Sequence, residues 1–91
     1  MTPMATSEQQ VQERERRGDD ERMRFAARVI QRREDLGITQ KTLQRKLSNI
    51  GHHMVEDWER GIYLPSYLNL KKLCKALYCS ADYLLGLNEE Q

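Results

Sequence analysis

The segment HHMVEDWERG, residues 52–61, holds both histidines and the only tryptophan, with Glu56, Asp57 and Glu59 among them. Paired imidazoles suggest a metal site, an imidazole beside carboxylates suggests acid/base work, and a polar surface bearing an aromatic ring suggests contact with a larger partner. Adjacent residues on a helix point about 100° apart, whereas chelating histidines sit at i and i+4, so a helical His52-His53 pair cannot share an ion. No third ligand stands at a useful spacing. Cys74 and Cys79 lie five apart without CxxC pairing, which suggests neither a zinc ribbon nor a disulfide framework. Both read as reduced fillers of small apolar positions. Catalysis needs a pocket, and the chain has no Gly-rich phosphate loop, no Ser/His/Asp order and a body too small to enclose a substrate easily. No catalytic residue, metal or cofactor is therefore assigned, and an enzyme is not expected.

Ninety-one residues with 38% apolar and 32% charged side chains fit one small soluble domain with a modest core. No window has the flanks of a signal peptide or the roughly 18 apolar residues of a membrane helix, so the protein is expected in the cytosol. The net charge of +1 conceals a division along the chain. Residues 20–88 carry 12 Lys/Arg against 8 Asp/Glu, whereas residues 1–19 and the tail 89–91 are each net acidic. A mildly basic middle permits nucleic-acid binding without demanding it, since a solvated charged face explains most single clusters.

The elements that would position these side chains all read as helices. Residues 1–19 hold few apolar side chains beyond Met1, Met4 and Val11 and are expected to form a mobile polar arm. Ser7 and Gln10 can cap a short helix there, ended by Gly18. From Asp20, an expected N-cap, apolar residues Met23, Ala26, Val29, Ile30 and Leu36 recur at helical spacing until Gly37. Thr39 caps a second helix with Leu43 and Leu47 inward, and SNIG connects it to a third over residues 52–60. On that third helix Val55 and Trp58 face in, and Gly61 ends it. Ser66 starts a fourth helix lined by Leu70, Leu73, Cys74 and Leu77, and Ser80 caps a last turn, ADYLLG. The expected fold is all-α, five short helices around one core of Val29, Leu43, Leu47, Val55, Trp58, Leu70, Leu73 and Leu77, within a domain of residues 20–88.

Two short helices in succession, the second with an apolar inner and a polar outer face, describe a helix-turn-helix. The ordered set GITQKTLQRKL, VEDWERG, LPSYLNLKKLCKAL and SADYLL resembles the phage-repressor and Cro type of this domain, the xenobiotic-response-element family with its lambda-repressor-like fold, over residues 22–86. The resemblance implies a sequence-specific DNA-binding regulator. It makes Gln40 a phosphate contact at the start of the second helix, where free N–H groups favour an anion. It places an ion pair between Arg33 and Glu59, which is thereby structural. It implies base reading by His52, His53 and Asp57, with Met54 meeting a thymine methyl, and phosphate contacts by Arg60, Lys41 and Arg45.

The chain also departs from the family pattern. The turn is one residue longer, with Asn49 as the extra residue, Gln44 replaces a small residue where the two helices cross, and Ser48 and Tyr78 stand where Gly is common. The loop after Gly61 has no Lys or Arg. Its Ile62, Tyr63, Leu64, Tyr67 and Leu68 are more apolar than a core needs, which suits a two-fold dimer contact through Tyr63, Leu64, Tyr67 and Leu68, because such regulators bind half-sites roughly 34 to 36 Å apart. Two functions follow: a dimeric regulator on a palindromic operator in double-stranded DNA, in the cytoplasm of a bacterial or phage-infected cell, or a module of the same fold that has lost DNA binding and holds a repressor or toxin. Glu56 and Asp57 on the outer face favour the second, while base readout tolerates an Asp facing cytosine.

Overall fold

The computed structural model describes the backbone of residues 7–88 and the side chains from residue 18 onward. The apolar positions Met1, Met4 and Val11 and the tail 89–91 lie outside these described side chains. Helices alone make up the regular structure: α1 (Ser7–Asp35), α2 (Gln40–Lys46), α3 (Met54–Glu59), α4 (Tyr67–Leu77) and α5 (Ala81–Leu84). The all-α expectation holds among the described residues.

The first boundary differs from the sequence reading. Gly18 does not end a helix and Asp20 does not begin one, because α1 runs through both. A helical glycine costs only about 1 kcal/mol relative to Ala, and local charge pairs oppose that cost. Arg22 pairs with Asp19 and Arg24 with Glu21 in the turn that follows Gly18. The buried stripe of α1 is also rotated from the expected one. Phe25, Ala26 and Val29 are buried, whereas Met23 is exposed and lies against Gly61.

Local capping chemistry sets the remaining helix starts. The side chains of Thr39, Ser66 and Ser80 accept from the backbone N–H of Thr42, Asn69 and Tyr83, the N3 positions of α2, α4 and α5. At the end of α1, Gly37 adopts φ 69, and Ile38 N–H reaches back to the Arg33 carbonyl at 3.2 Å. This closure satisfies carbonyls that the helix leaves unpaired and turns the chain toward α2.

The core gathers Phe25 and Val29 of α1, Leu43 and Leu47, Val55 and Trp58 of α3, Leu73 and Leu77 of α4, and Tyr83 and Leu84. Leu70, expected within it, packs against it half-buried. The principal neighbour of α1 is α3, and α5 closes the core against α1 and α4. Side chains of α1 also bind the ends of two other helices. Arg32 Nε donates to Leu77 O at 2.8 Å and Nη2 to Tyr78 O at 3.2 Å, while Arg22 Nε donates to Gly61 O at 3.1 Å. Polar contacts from the long helix thereby fix the ends of α3 and α4 that burial alone would leave free to slide.

Candidate nucleic-acid interface

The two short helices α2 and α3 are joined by residues 47–53, and their relative placement decides what the surface can touch. Val55 and Trp58 anchor α3 from below, at 1% and 0% exposure. Glu59 turns the same way and is buried. Arg33 Nε donates to Glu59 Oε2 at 2.7 Å and Nη2 to Oε1 at 2.9 Å, a two-pronged pair between α1 and α3. Arg33 Nη1 also donates to Ile38 O at 2.9 Å, so the guanidinium spans three segments. The hydrogen bond that Arg33 donates to Glu59 raises the Arg33 pKa, and burial works against it. Both charges are compensated, as burial of an ion pair requires.

Gln40 joins this pair. Its Nε2 donates to Glu59 Oε1 at 3.0 Å, so one of its two amide protons is committed within the fold. The phosphate contact expected of Gln40 is thus open to only part of its amide. The committed proton gives the buried carboxylate a third hydrogen bond, and the second N–H is what an external anion can meet.

His52 and His53 are not on the third helix. α3 begins at Met54, and the two histidines lie in the turn ahead of it, with ring centroids 6.2 Å apart. Helical geometry therefore does not set the directions of the two imidazoles. Among the described residues, however, no group of three His, Cys, Asp or Glu could hold a metal. His53 occupies the N-cap position at φ 63 and its side chain makes no capping bond. Both rings are exposed.

Along α3 the outer face consists of Glu56, Asp57 and Arg60. Met54, expected to point outward, is half-buried and packs against the core, because the helix starts two residues later than expected and its first residue lies on the inner flank. Glu56 is not an isolated acid. Its carboxylate lies 3.6 Å from His53 Nδ1 and 3.9 Å from Arg60 Nη1, so the exposed charge has a cation beside it at one end and an imidazole at the other.

A groove of about 520 Å³ runs between α2 and the turn, lined by Gln40, Lys41, Gln44, Arg45, His52, His53, Val55 and Glu56. Two of the three exposed cations of α2, Lys41 and Arg45, and the two histidines thus share one concave face. Asp57 and Arg60 stand outside it, further along α3. Sequence reasoning missed the part played by Gln44. Its Nε2 donates to Gly51 O at 3.1 Å and its Oε1 accepts from Val55 N–H at 3.1 Å. The only signal in the sequence is its size at the helix crossing.

Comparison with known proteins places this arrangement. The model of the helix-turn-helix family matches residues 29–84. The HTH-type transcriptional regulator DicA of Escherichia coli (strain K12) is 39% identical over 64 residues, 70% of this chain and 47% of that protein. Repressor protein C2 of Salmonella phage P22 is 41% identical over 58 residues, 64% of this chain and 26% of that protein. The HTH-type transcriptional regulator ImmR of Bacillus subtilis (strain 168) is 37% identical over 67 residues, 74% of this chain and 52% of that protein. The chain spans about half or less of the length of these relatives. No solved structure matches it significantly. With two short helices in succession, a buried Arg33–Glu59 pair behind them and a family match over more than half its length, the chain belongs to the helix-turn-helix family.

Proposed function

We propose that the protein is a sequence-specific DNA-binding transcriptional regulator, acting as a dimer on a palindromic operator in the cytoplasm. The observation that carries this reading is the shared groove, in which the phosphate candidates Gln40, Lys41 and Arg45 stand beside the base-reading candidates His52 and His53. Cations at the rim neutralise phosphate, and imidazoles beyond them reach base edges. Asp57 reads from further along α3, where it accepts from cytosine N4, and Arg60 contacts the backbone at the end of the helix. Met54 offers a thymine methyl only the part of its side chain left outside the core. The names of the three relatives, two regulators and one repressor, support the same reading.

Arg60 beside Glu56 reduces its repulsion of DNA, since phosphate approaching that side meets a carboxylate with a cation 3.9 Å away. Exposed Tyr63, Leu64, Tyr67 and Leu68 favour a second copy of the chain as the dimer partner.

Fluorescence anisotropy with random duplex DNA tests the reading. Binding is expected at about 50 mM salt and should weaken steeply as salt rises. Selection from a random duplex pool should then enrich an inverted repeat. Absence of any binding at low salt would sink the regulator reading and leave a protein-interaction module in its place.

A further inference from the structure

The connection of residues 47–53 holds two non-glycine residues in the left-handed region, Asn49 at φ 55 and His53 at φ 63. It is tied to its neighbours by a few bonds: Leu47 N–H reaches Gln44 O at 3.3 Å, Met54 N–H reaches Gly51 O at a long 3.4 Å, and Lys72 Nζ donates to Ser48 O at 2.6 Å from α4. The first N–H groups of α3 need acceptors, because a helix start leaves them unpaired, and the His53 side chain supplies none. Gln44 fills that gap from the last turn of α2. Its single planar amide accepts from Val55 N–H and donates to Gly51 O, clasping the backbone on both sides of His52 and His53.

The far half of α3 does not depend on this clasp. Buried Trp58 and the Arg33–Glu59 pair hold it to the core. At the near end Val55 is buried from below, and Gln44 ties its backbone and the two histidines ahead of it to α2. We infer that Gln44 is a positioning residue for DNA discrimination: it sets the pose of His52, His53 and the start of α3 against α2, so base selectivity depends on a side chain that need not touch a base. The inference rests on the DNA-binding reading. Without the amide the fold persists, the cations of α2 still attract phosphate, and the reading end of the surface loses its register.

The experiment compares wild type with Gln44→Met, which keeps length and volume but has neither donor nor acceptor, and Gln44→Glu, which keeps only the acceptor for Val55 N–H. For each, affinity is measured for the operator obtained by selection and for a random duplex, and the ratio of the two is the readout. Gln44→Met is expected to lower that ratio about tenfold while random-duplex affinity and its salt slope stay within about twofold. Gln44→Glu is expected to keep a ratio between those of wild type and Gln44→Met, because one of the two bonds survives. Faster hydrogen exchange at Val55 N–H, with Trp58 fluorescence unchanged, should accompany the loss. If Gln44→Met melts more than about 10 °C below wild type, the Gln44→Glu ratio decides instead. Wild type that binds no duplex overturns the DNA reading and this inference with it. Wild type that discriminates, beside folded variants whose ratio is unchanged, overturns the inference alone.

Discussion

Removing one partner of the Arg33–Glu59 pair strands the other, since the Glu59 side chain is 3% exposed and that of Arg33 15%. Glu59→Gln keeps the shape and deletes the charge, and it should cost about 3 kcal/mol in urea unfolding. Arg33→Met should cost at least as much, because Ile38 O and Gln40 also lose their geometry. A loss under about 0.5 kcal/mol for both would show that the pair contributes only what a surface pair does. The two thiols respond to pH instead. Burial, then the neighbouring Cys74, push Cys79 up from 9.0 to about 11, with Arg32 acting in the opposite sense. The folded state therefore binds this proton more tightly than the unfolded chain. The resulting stability is fully present below pH about 9 and is lost as pH rises through about 11, so unfolding free energy should decline across that window and less so in Cys79→Ala. At neutral pH the same shift leaves a small thiolate fraction, and Cys79 should alkylate about a hundredfold more slowly than a free thiol, at roughly the rate its thiolate population allows.

At the scale of elements, Gly61 offers a test of how α3 ends. It adopts φ 74, and a Cβ there would meet the Met23 sulfur. Gly61→Ala should cost about 1 to 2 kcal/mol, from left-handed strain and displacement of Met23, measured by thermal unfolding. The same scale separates what the sequence disclosed from what it did not. The Thr39, Ser66 and Ser80 caps were legible, because an N-cap is a contact within four residues. The inward set at Leu43, Val55, Trp58, Leu73 and Leu77 was legible too, because helical spacing with large apolar side chains leaves one face to bury. The start of α1 was not, since Gly18 is a weak breaker whose cost neighbouring charge pairs can oppose. The start of α3 was not, since His53 enters the left-handed region under the constraint of a turn. Gln44 was legible only as an oversized residue at a crossing. Its two bonds join residues 7 and 11 positions away in sequence, contacts that local pattern does not encode.

For the whole molecule, the surface beyond α3 is where the proposed dimer contact can be tested. Tyr67 is 74% exposed, Leu68 64% and Tyr63 55%, with Ile62 and Leu64 beside them, while Lys71 covers one ring at 5.5 Å. Scattered exposed apolar residues are ordinary, whereas a run of them just past α3 is the kind of surface an interface between copies presents. Leu68→Glu places like charges face to face across a two-fold axis and removes apolar contact, so it should shift the chain from dimer to monomer in sedimentation velocity without lowering its melting temperature by more than about 2 °C. The operator then loses the effective concentration that binding of one half-site gives the other, and affinity should fall by about a hundredfold. The slope of log affinity against log salt should fall to about half, because one copy releases about half the counterions that two release. A half-site duplex should bind Leu68→Glu and wild type alike. If the operator slope is unchanged while the variant is monomeric in solution, DNA assembles the pair through another surface, and the patch of residues 62–68 is not the dimer contact.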